Sequence, residues 1–286
     1  LDGSKDSESV LPHLETLLES QDADVTLVHV ISDLEVSKIQ GTRAYLTAAA
    51  KELQAKGVVI DVHVLVGRPA PMIVRMAVQG GYSLILMCSK GKKGLSRLVL
   101  GSVTEEVLRR SPLPVLVVHP LGTSKRKLRL KRIVVALDGS HRSASILPYL
   151  APLAKATGSK LLFMTAVDPL AKNDMPVEVV SNNLFREQKL MHRQGIKTEL
   201  AIRYGDPATE ILAFSDVQDA DLLAIATHGR TGVDRMVYGS VAESVLRSGE
   251  LPMLVLRTAG TFKSDPLHAP AIRAQRAKES KAIVGT

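Results

Sequence analysis

Gly91 through Ser102 reads GKKGLSRLVLGS, and Gly229 through Ser240 reads GRTGVDRMVYGS, one pattern displaced by 138 residues. The same displacement carries Gly67-Arg68-Pro69-Ala70 onto Gly205-Asp206-Pro207-Ala208, Leu108-Arg109 onto Leu246-Arg247, and Leu113-Pro114 onto Leu251-Pro252. Leu1-Asp2-Gly3-Ser4 recurs as Leu137-Asp138-Gly139-Ser140 at a displacement of 136. An internal repeat this long limits the chain to two copies of one fold, each of ordinary domain size with its own apolar centre. Hydrophobic residues make up 45% of the sequence, enough to fill two such centres. The boundaries read as a first copy over residues 1–122, a basic linker over 123–131, a second copy over 132–258 and a tail over 259–286. The tail is polar and basic without a sustained apolar period, which predicts disorder.

The second copy sets out the unit. Arg132 to Leu137 is a β-branched run ending at an Asp-Gly turn, as expected of a strand buried on both faces. From about Ser143 to Ala156, Ile146, Leu147, Leu150 and Leu153 share one helical face, and Gly158 stands where the helix should end. A strand over Lys160 to Val167, a helix around Asn183 to Gln194 and a strand near Lys197 to Tyr204 follow. Asp206-Pro207 then opens a helix, Asp221 to Thr227 reads as a strand, a helix starts at Gly239-Ser240, and Met253 to Arg257 closes the copy. Strict alternation of strands and helices predicts an α/β fold, a doubly wound five-stranded parallel sheet with helices on both faces. The first copy opens at the end of its first strand, so it is expected to lack that strand and to leave a sheet edge needing a partner.

The formal charge of +8 is local. Lys125, Arg126, Lys127, Arg129, Lys131 and Arg132 crowd the linker, and the tail carries a further excess. A solvated linker accounts for this run; with 3% aromatic residues and no nucleic-acid-binding motif, DNA or RNA is not the expected partner. No apolar stretch is long enough to span a bilayer and no secretory leader opens the chain, so the expectation is a cytoplasmic protein without a membrane partner. Cys88 is the only cysteine and reads as a packing residue. No spacing suggests a metal cage.

The repeated Gly-rich segment leaves a strand and feeds a helix, where backbone N–H groups and the helix N-terminus converge on an anion. Gly229, Gly232 and Gly239 give permissive dihedrals and no side chain to obstruct phosphate oxygens, and Ser240 adds a hydroxyl. A tight connection alone would also use glycine, but twelve residues repeated in register exceed what turn-making needs. The segment is neither a Walker loop nor a dinucleotide fingerprint. His228 has no serine, cysteine or acid tied to it by spacing and is assigned no catalysis; His29, in Leu-Val-His-Val, reads as a hydrogen-bonded histidine at the core edge.

Ala226-Thr-His-Gly229, nine residues, then Gly239-Ser240 closely resembles the nucleotide signature of the universal stress proteins, Gly-x-x-Gly-x9-Gly-Ser/Thr. Val-Val-Ala-Leu-Asp-Gly-Ser, Gly-Asp-Pro-Ala and Gly-Ser-Val-Ala-Glu extend the resemblance over nearly the whole chain. It implies a tandem UspA-like protein of adenine nucleotide alpha hydrolase-like fold that binds ATP or another adenine nucleotide, with Mg as a candidate companion. The implied contacts are Ala136, Asp138, Ala166, Ala226, His228, Gly229, Arg230, Gly232, Gly239, Ser240 and Val241. Asp138 would lie near the adenosine, Ala136 and Ala166 beside the adenine, and the loop with Ser240 on phosphates and ribose. From the residues alone Asp138 reads equally as a turn or capping aspartate. The weaker first-copy counterparts are Asp2, Val30, Gly91, Gly101, Ser102 and Val103, with Lys90, Lys92 and Lys93 as loop cations. The first glycine of the signature is Ala226 in one copy and Cys88 in the other, a costly change if that position needs a positive φ.

The resemblance also implies that the final strands, Val115 to Val118 and Leu254 to Arg257, pair within the chain as they commonly do across a dimer; a homodimer of tandem chains is a further candidate assembly. Three functions compete: a stress-response or signalling protein whose nucleotide occupancy biases conformation or partner binding, a slow ATP hydrolase, and a scaffold without nucleotide. Adenylating relatives would carry a Ser-Gly-Gly-type loop where this chain has Asp138-Gly139-Ser140.

Overall fold

The computed structural model describes residues 1–20, 23–55, 57–89, 100–120, 129–169, 176–228 and 239–258. The first copy runs α1 (Lys5–Glu8), α2 (Leu11–Ser20), β1 (Val25–Ile31), α3 (Ile39–Gln54), β2 (Ile60–Val66), α4 (Pro69–Gln79), β3 (Ile85–Cys88), α5 (Ser102–Arg110) and β4 (Val115–Val118). The second runs β5 (Arg132–Ala136), α6 (His141–Ala144), α7 (Leu147–Thr157), β6 (Lys160–Val167), α8 (Val177–Arg193), β7 (Thr198–Tyr204), α9 (Pro207–Val217), β8 (Leu222–His228), α10 (Ser240–Ser248) and β9 (Met253–Thr258). Of the expected linker over 123–131, residues 123–128 lie outside the described residues, as does the tail over 259–286.

Ile133, Val134 and Val135 are fully buried because β5 is the central strand of its copy, paired in parallel with β6 on one side and β8 on the other. β7 joins β6 and β9 joins β8, both in parallel, completing the five-stranded unit. In the first copy β1 pairs with β2 and β3 with β4, again in parallel. No described strand sits between β1 and β3 as β5 sits between β6 and β8, so β1 and β2 form a separate two-stranded sheet. β4 and β9 pair antiparallel, Val115 with Val255, Leu116 with Leu254 and Val117 with Met253. That seam fuses the halves into one seven-stranded sheet, order β3-β4-β9-β8-β5-β6-β7.

Alternate residues of the strands feed two apolar layers. Leu116, Ile133, Val135, Phe163, Ala224 and Leu254 pack on one face of the sheet, against α7 and α8 residues such as Leu150 and Leu184. Val117, Val134, Leu162, Leu223 and Val255 pack on the other, against residues of α4, α5, α9 and α10. Both layers cross the seam, and each fully buried Val, Leu or Ile side chain contributes about 1.5–3 kcal/mol.

Most element ends fall where the sequence places them. Gly158 ends α7 in the left-handed conformation, φ 66°, and the Asp206 carboxylate caps α9 by accepting from Thr209 N–H at 2.9 Å. α8 begins six residues earlier than the sequence pattern indicates. Its first turn is Val-Glu-Val-Val, a poor helix former, but Pro176 precedes it and Val180 buries on the same side as Leu184. Leu130, inside the basic run, is buried with φ 51° and belongs to the first apolar layer. Beside it, Lys131 and Arg132 N–H both donate to Asp221 Oδ2, at 2.8 and 2.9 Å, tying the end of the linker to the start of β8.

Candidate functional site

The carboxyl ends of β5, β6 and β8 lie side by side at one edge of the sheet. Ala136 is the last residue of β5, and Ala166 and Ala226 stand near the ends of β6 and β8. Alanine at each strand end keeps this edge low, so a flat group could approach the strands closely.

Beyond Ala136, Leu137 N–H donates to Met164 O at 2.9 Å, holding the chain on the sheet for one more residue. Asp138 then turns outward. Its Oδ1 accepts from Ser140 N–H at 2.9 Å, and its own N–H donates to Ser143 Oγ at 3.2 Å. Gly139 adopts φ +79°, and a Cβ there would lie 3.0 Å from Val180 Cα, so any other residue in the Asp-Gly turn would be strained and would have to push α8 back. Ser140 caps α6 through its Oγ, which accepts from Ser143 N–H at 3.1 Å. The first copy reproduces this arrangement: Leu1 N donates to Val28 O at 2.8 Å, Ser4 N–H to Asp2 Oδ1 at 3.0 Å, and Gly3 has φ 77°. Asp138 and Asp2 are thus turn aspartates whose exposed or half-exposed carboxylates are fixed at the strand ends.

Gly239 is the N-cap of α10, with φ −47° and ψ 143°. Of the two reasons the sequence offers for glycine here, permissive dihedrals do not apply, since this conformation is open to any residue, whereas the missing side chain does: an added Cβ would meet none of the described residues within 4 Å. What glycine provides is space in front of the helix. It has no side chain to cap α10, so the first N–H groups, those of Ser240 and Val241 included, present the positive end of the helix to that space. Gly101 caps α5 likewise, at φ −65° and ψ 140°, ahead of Ser102 and Val103. Gly101 N–H donates to Ser89 O at 2.7 Å, bringing the helix start to the end of β3.

The doubt over Ala226 and Cys88 is resolved by backbone geometry. Both lie in strands, and the only non-glycine residues with positive φ among those described are Leu130 and Asp219. Neither substitution is strained. Cys88 is buried, accepts from Ser9 Oγ at 3.4 Å, and its carbonyl accepts from Thr104 Oγ1 at 2.8 Å. Val30 occupies in β1 the place of Ala166 in β6, a bulkier residue at the same edge. His228 ends β8, while Gly229, Arg230, Gly232, Gly91 and the lysines Lys90, Lys92 and Lys93 lie outside the described residues. His29, on β1, stacks edge-on against Tyr45 with ring centroids 6.3 Å apart. Sequence reasoning did not pick out Ser143 or Asn183, whose Nδ2 donates to Gly139 O at 2.9 Å; both support the turn, and no local motif marks Asn183.

Residues 1–119 and 129–257 each match the Universal stress protein family. A universal stress protein of Mycolicibacterium smegmatis is 24% identical over 282 residues, an alignment covering 90% of this chain and 95% of the relative. One from Methanocaldococcus jannaschii is 30% identical over 139 residues, 44% of this chain and 82% of the relative. Among solved structures, a universal stress protein from Archaeoglobus fulgidus superposes with a TM-score of 0.73 at 25% identity, covering 90% of this chain and 94% of that one.

Proposed function

We infer, since the chain belongs to the universal stress protein family, that its second copy is an adenine-nucleotide receptor whose occupancy, not turnover, is the signal. The observation that carries this reading is the glycine-capped start of α10, where an added Cβ would meet none of the described residues within 4 Å, following β8, whose carboxyl end lies beside those of β5 and β6 with Ala136, Asp138 and Ala166. A helix N-terminus lacking a side-chain cap favours negative charge in front of it. Ser240 and Val241 N–H, with Gly229, Arg230 and Gly232, would hold phosphates. Ala136, Ala166 and Ala226 would take the flat base against the strand ends, and the Asp138 carboxylate, held by Ser140 N–H, would accept from a ribose hydroxyl. Mg would accompany a triphosphate as its counter-ion.

The first copy is the poorer receptor because Val30 stands at the sheet edge where the second copy has the smaller Ala166. One nucleotide per chain is therefore expected. The test joins mass spectrometry of small molecules released from the denatured protein with calorimetric titration of ATP into wild type and Gly239→Val. The added side chain meets none of the described residues within 4 Å, so the variant should fold, as a thermal melt would check, and lose ATP binding. Wild-type protein that neither retains nor binds an adenine nucleotide would overturn this reading in favour of a scaffold built on the β4–β9 seam.

A further inference from the structure

We propose that the cleft where α4 and α5 meet the end of β9 binds a phosphoanion through arginines drawn from both copies. The cleft, about 700 Å³ and open on one side, is lined by Arg75 of α4, Arg109 and Arg110 of α5, Arg257 of β9 and the apolar side chains of Val74 and Val78. No carboxylate is among its lining residues. Glu106, on α5, already serves three guanidinium groups, bonding Arg110 Nε at 2.9 Å and Arg68 Nη2 at 3.3 Å and lying 3.8 Å from Arg109 Nη2. One negative charge shared three ways leaves the cleft strongly positive.

Arg257 adds an observation independent of charge. Its Nε is buried and has no hydrogen-bond partner. A guanidinium stays protonated throughout the accessible pH range, and a buried donor without an acceptor costs about 1–3 kcal/mol. Because Nε itself is out of reach of solvent, an anion in the cleft would meet this guanidinium through its other N–H groups. Arginine's fork of donors matches the oxygens of a phosphate group better than any other common anion except a carboxylate, and four arginines suit a ligand with several charges.

The second copy serves as an internal control. At the corresponding repeat positions Arg75 becomes Ala213, Val78 becomes Asp216, Arg110 becomes Ser248 and Arg257 becomes His119, while Arg109 alone persists, as Arg247. Arg247 is paired with Glu243 at 3.0 Å. The framework is shared and the positive charge is not, so the arginines are not a requirement of the fold. Arg257 pairs in register with Thr227 of β8, which puts the cleft on the same sheet edge as the second copy's candidate loop. Its phosphoanion could be free or be the phosphate end of a nucleotide seated in that loop.

The test titrates the full chain with sodium tripolyphosphate, which has no base to recognise, and separately with ATP. Arg75→Ala/Arg110→Ser installs the second copy's residues at two exposed positions, Arg257→Gln removes the half-buried guanidinium, and Lys155→Ala/Lys189→Ala removes two exposed charges of α7 and α8. Thermal melts establish that each variant is folded. Wild type should bind tripolyphosphate, the arginine variants should lose at least tenfold in affinity, and the lysine variant should stay within twofold. If the arginine variants also weaken ATP, the cleft takes a nucleotide's phosphates; if ATP is unchanged or never binds, it takes a free phosphoanion. Absence of tripolyphosphate binding, arginine variants within twofold of wild type, or an equal loss in the lysine variant would each refute the site, whatever becomes of the nucleotide reading.

Discussion

A methyl group added at Gly139 has nowhere to go. The residue sits at φ +79°, where a side chain is disfavoured, and the new carbon would lie 3.0 Å from Val180 Cα and 3.1 Å from Val180 Cγ1. Gly139→Ala should therefore cost about 1–3 kcal/mol of stability in urea unfolding, and an unchanged midpoint would show that the Asp-Gly turn relaxes freely. This glycine was legible from sequence, since an Asp-Gly pair after a β-branched run marks a turn. At Gly239 the sequence offered two reasons for glycine: the dihedrals are ordinary, so permissive backbone is not needed, while the missing side chain at the start of α10 remains. Backbone geometry is equally ordinary at Ala226 and Cys88, which raised concern as replacements for glycine and turn out to be unstrained strand residues.

Among the elements, α9 shows the clearest link between a local motif and a measurable response. The Asp206 carboxylate accepts from the Thr209 hydroxyl at 2.7 Å and from its N–H at 2.9 Å, and these bonds, the hydroxyl first, hold its pKa below the ordinary carboxylate value. A carboxyl more acidic in the folded state stabilises the protein above its unfolded pKa and loses that contribution as pH falls through the folded value. Asp206→Ala should accordingly melt at a lower temperature than wild type near pH 7 and at nearly the same temperature near pH 2. A gap that persists at the acid end would assign the cap's effect to something other than ionisation. Asp-Pro announced this helix, whereas the start of α8 was hidden behind β-branched residues that tertiary burial of Val180 overrides. Leu130 was similarly hidden: six cations around it dominate the composition, and only the fold shows that one apolar side chain among them reaches the core.

At the scale of the whole molecule, the β4–β9 ladder makes the two copies one folding unit. Leu116 and Leu254 face each other across it in the same apolar layer, both buried. Leu116→Ala should cost about 2–5 kcal/mol, and hydrogen exchange should then quicken in β4 and β9 together; loss of protection confined to the first copy would mean that the halves unfold independently. The repeat and the alternation of strands and helices in the second copy could be read from spacing, and the joining of final strands followed from the family resemblance. The arginine cleft could not be read, because positions 75, 109, 110 and 257 share no motif and meet only once the sheet is continuous. The ladder has one more consequence. Strands run parallel within each half and antiparallel where the halves join, so β3 and β8 point their carboxyl ends toward opposite rims of the sheet. The described strand ends that lead toward α5 and α10 therefore stand at opposite rims, with four neighbouring strands of one sheet, β3, β4, β9 and β8, running from one to the other.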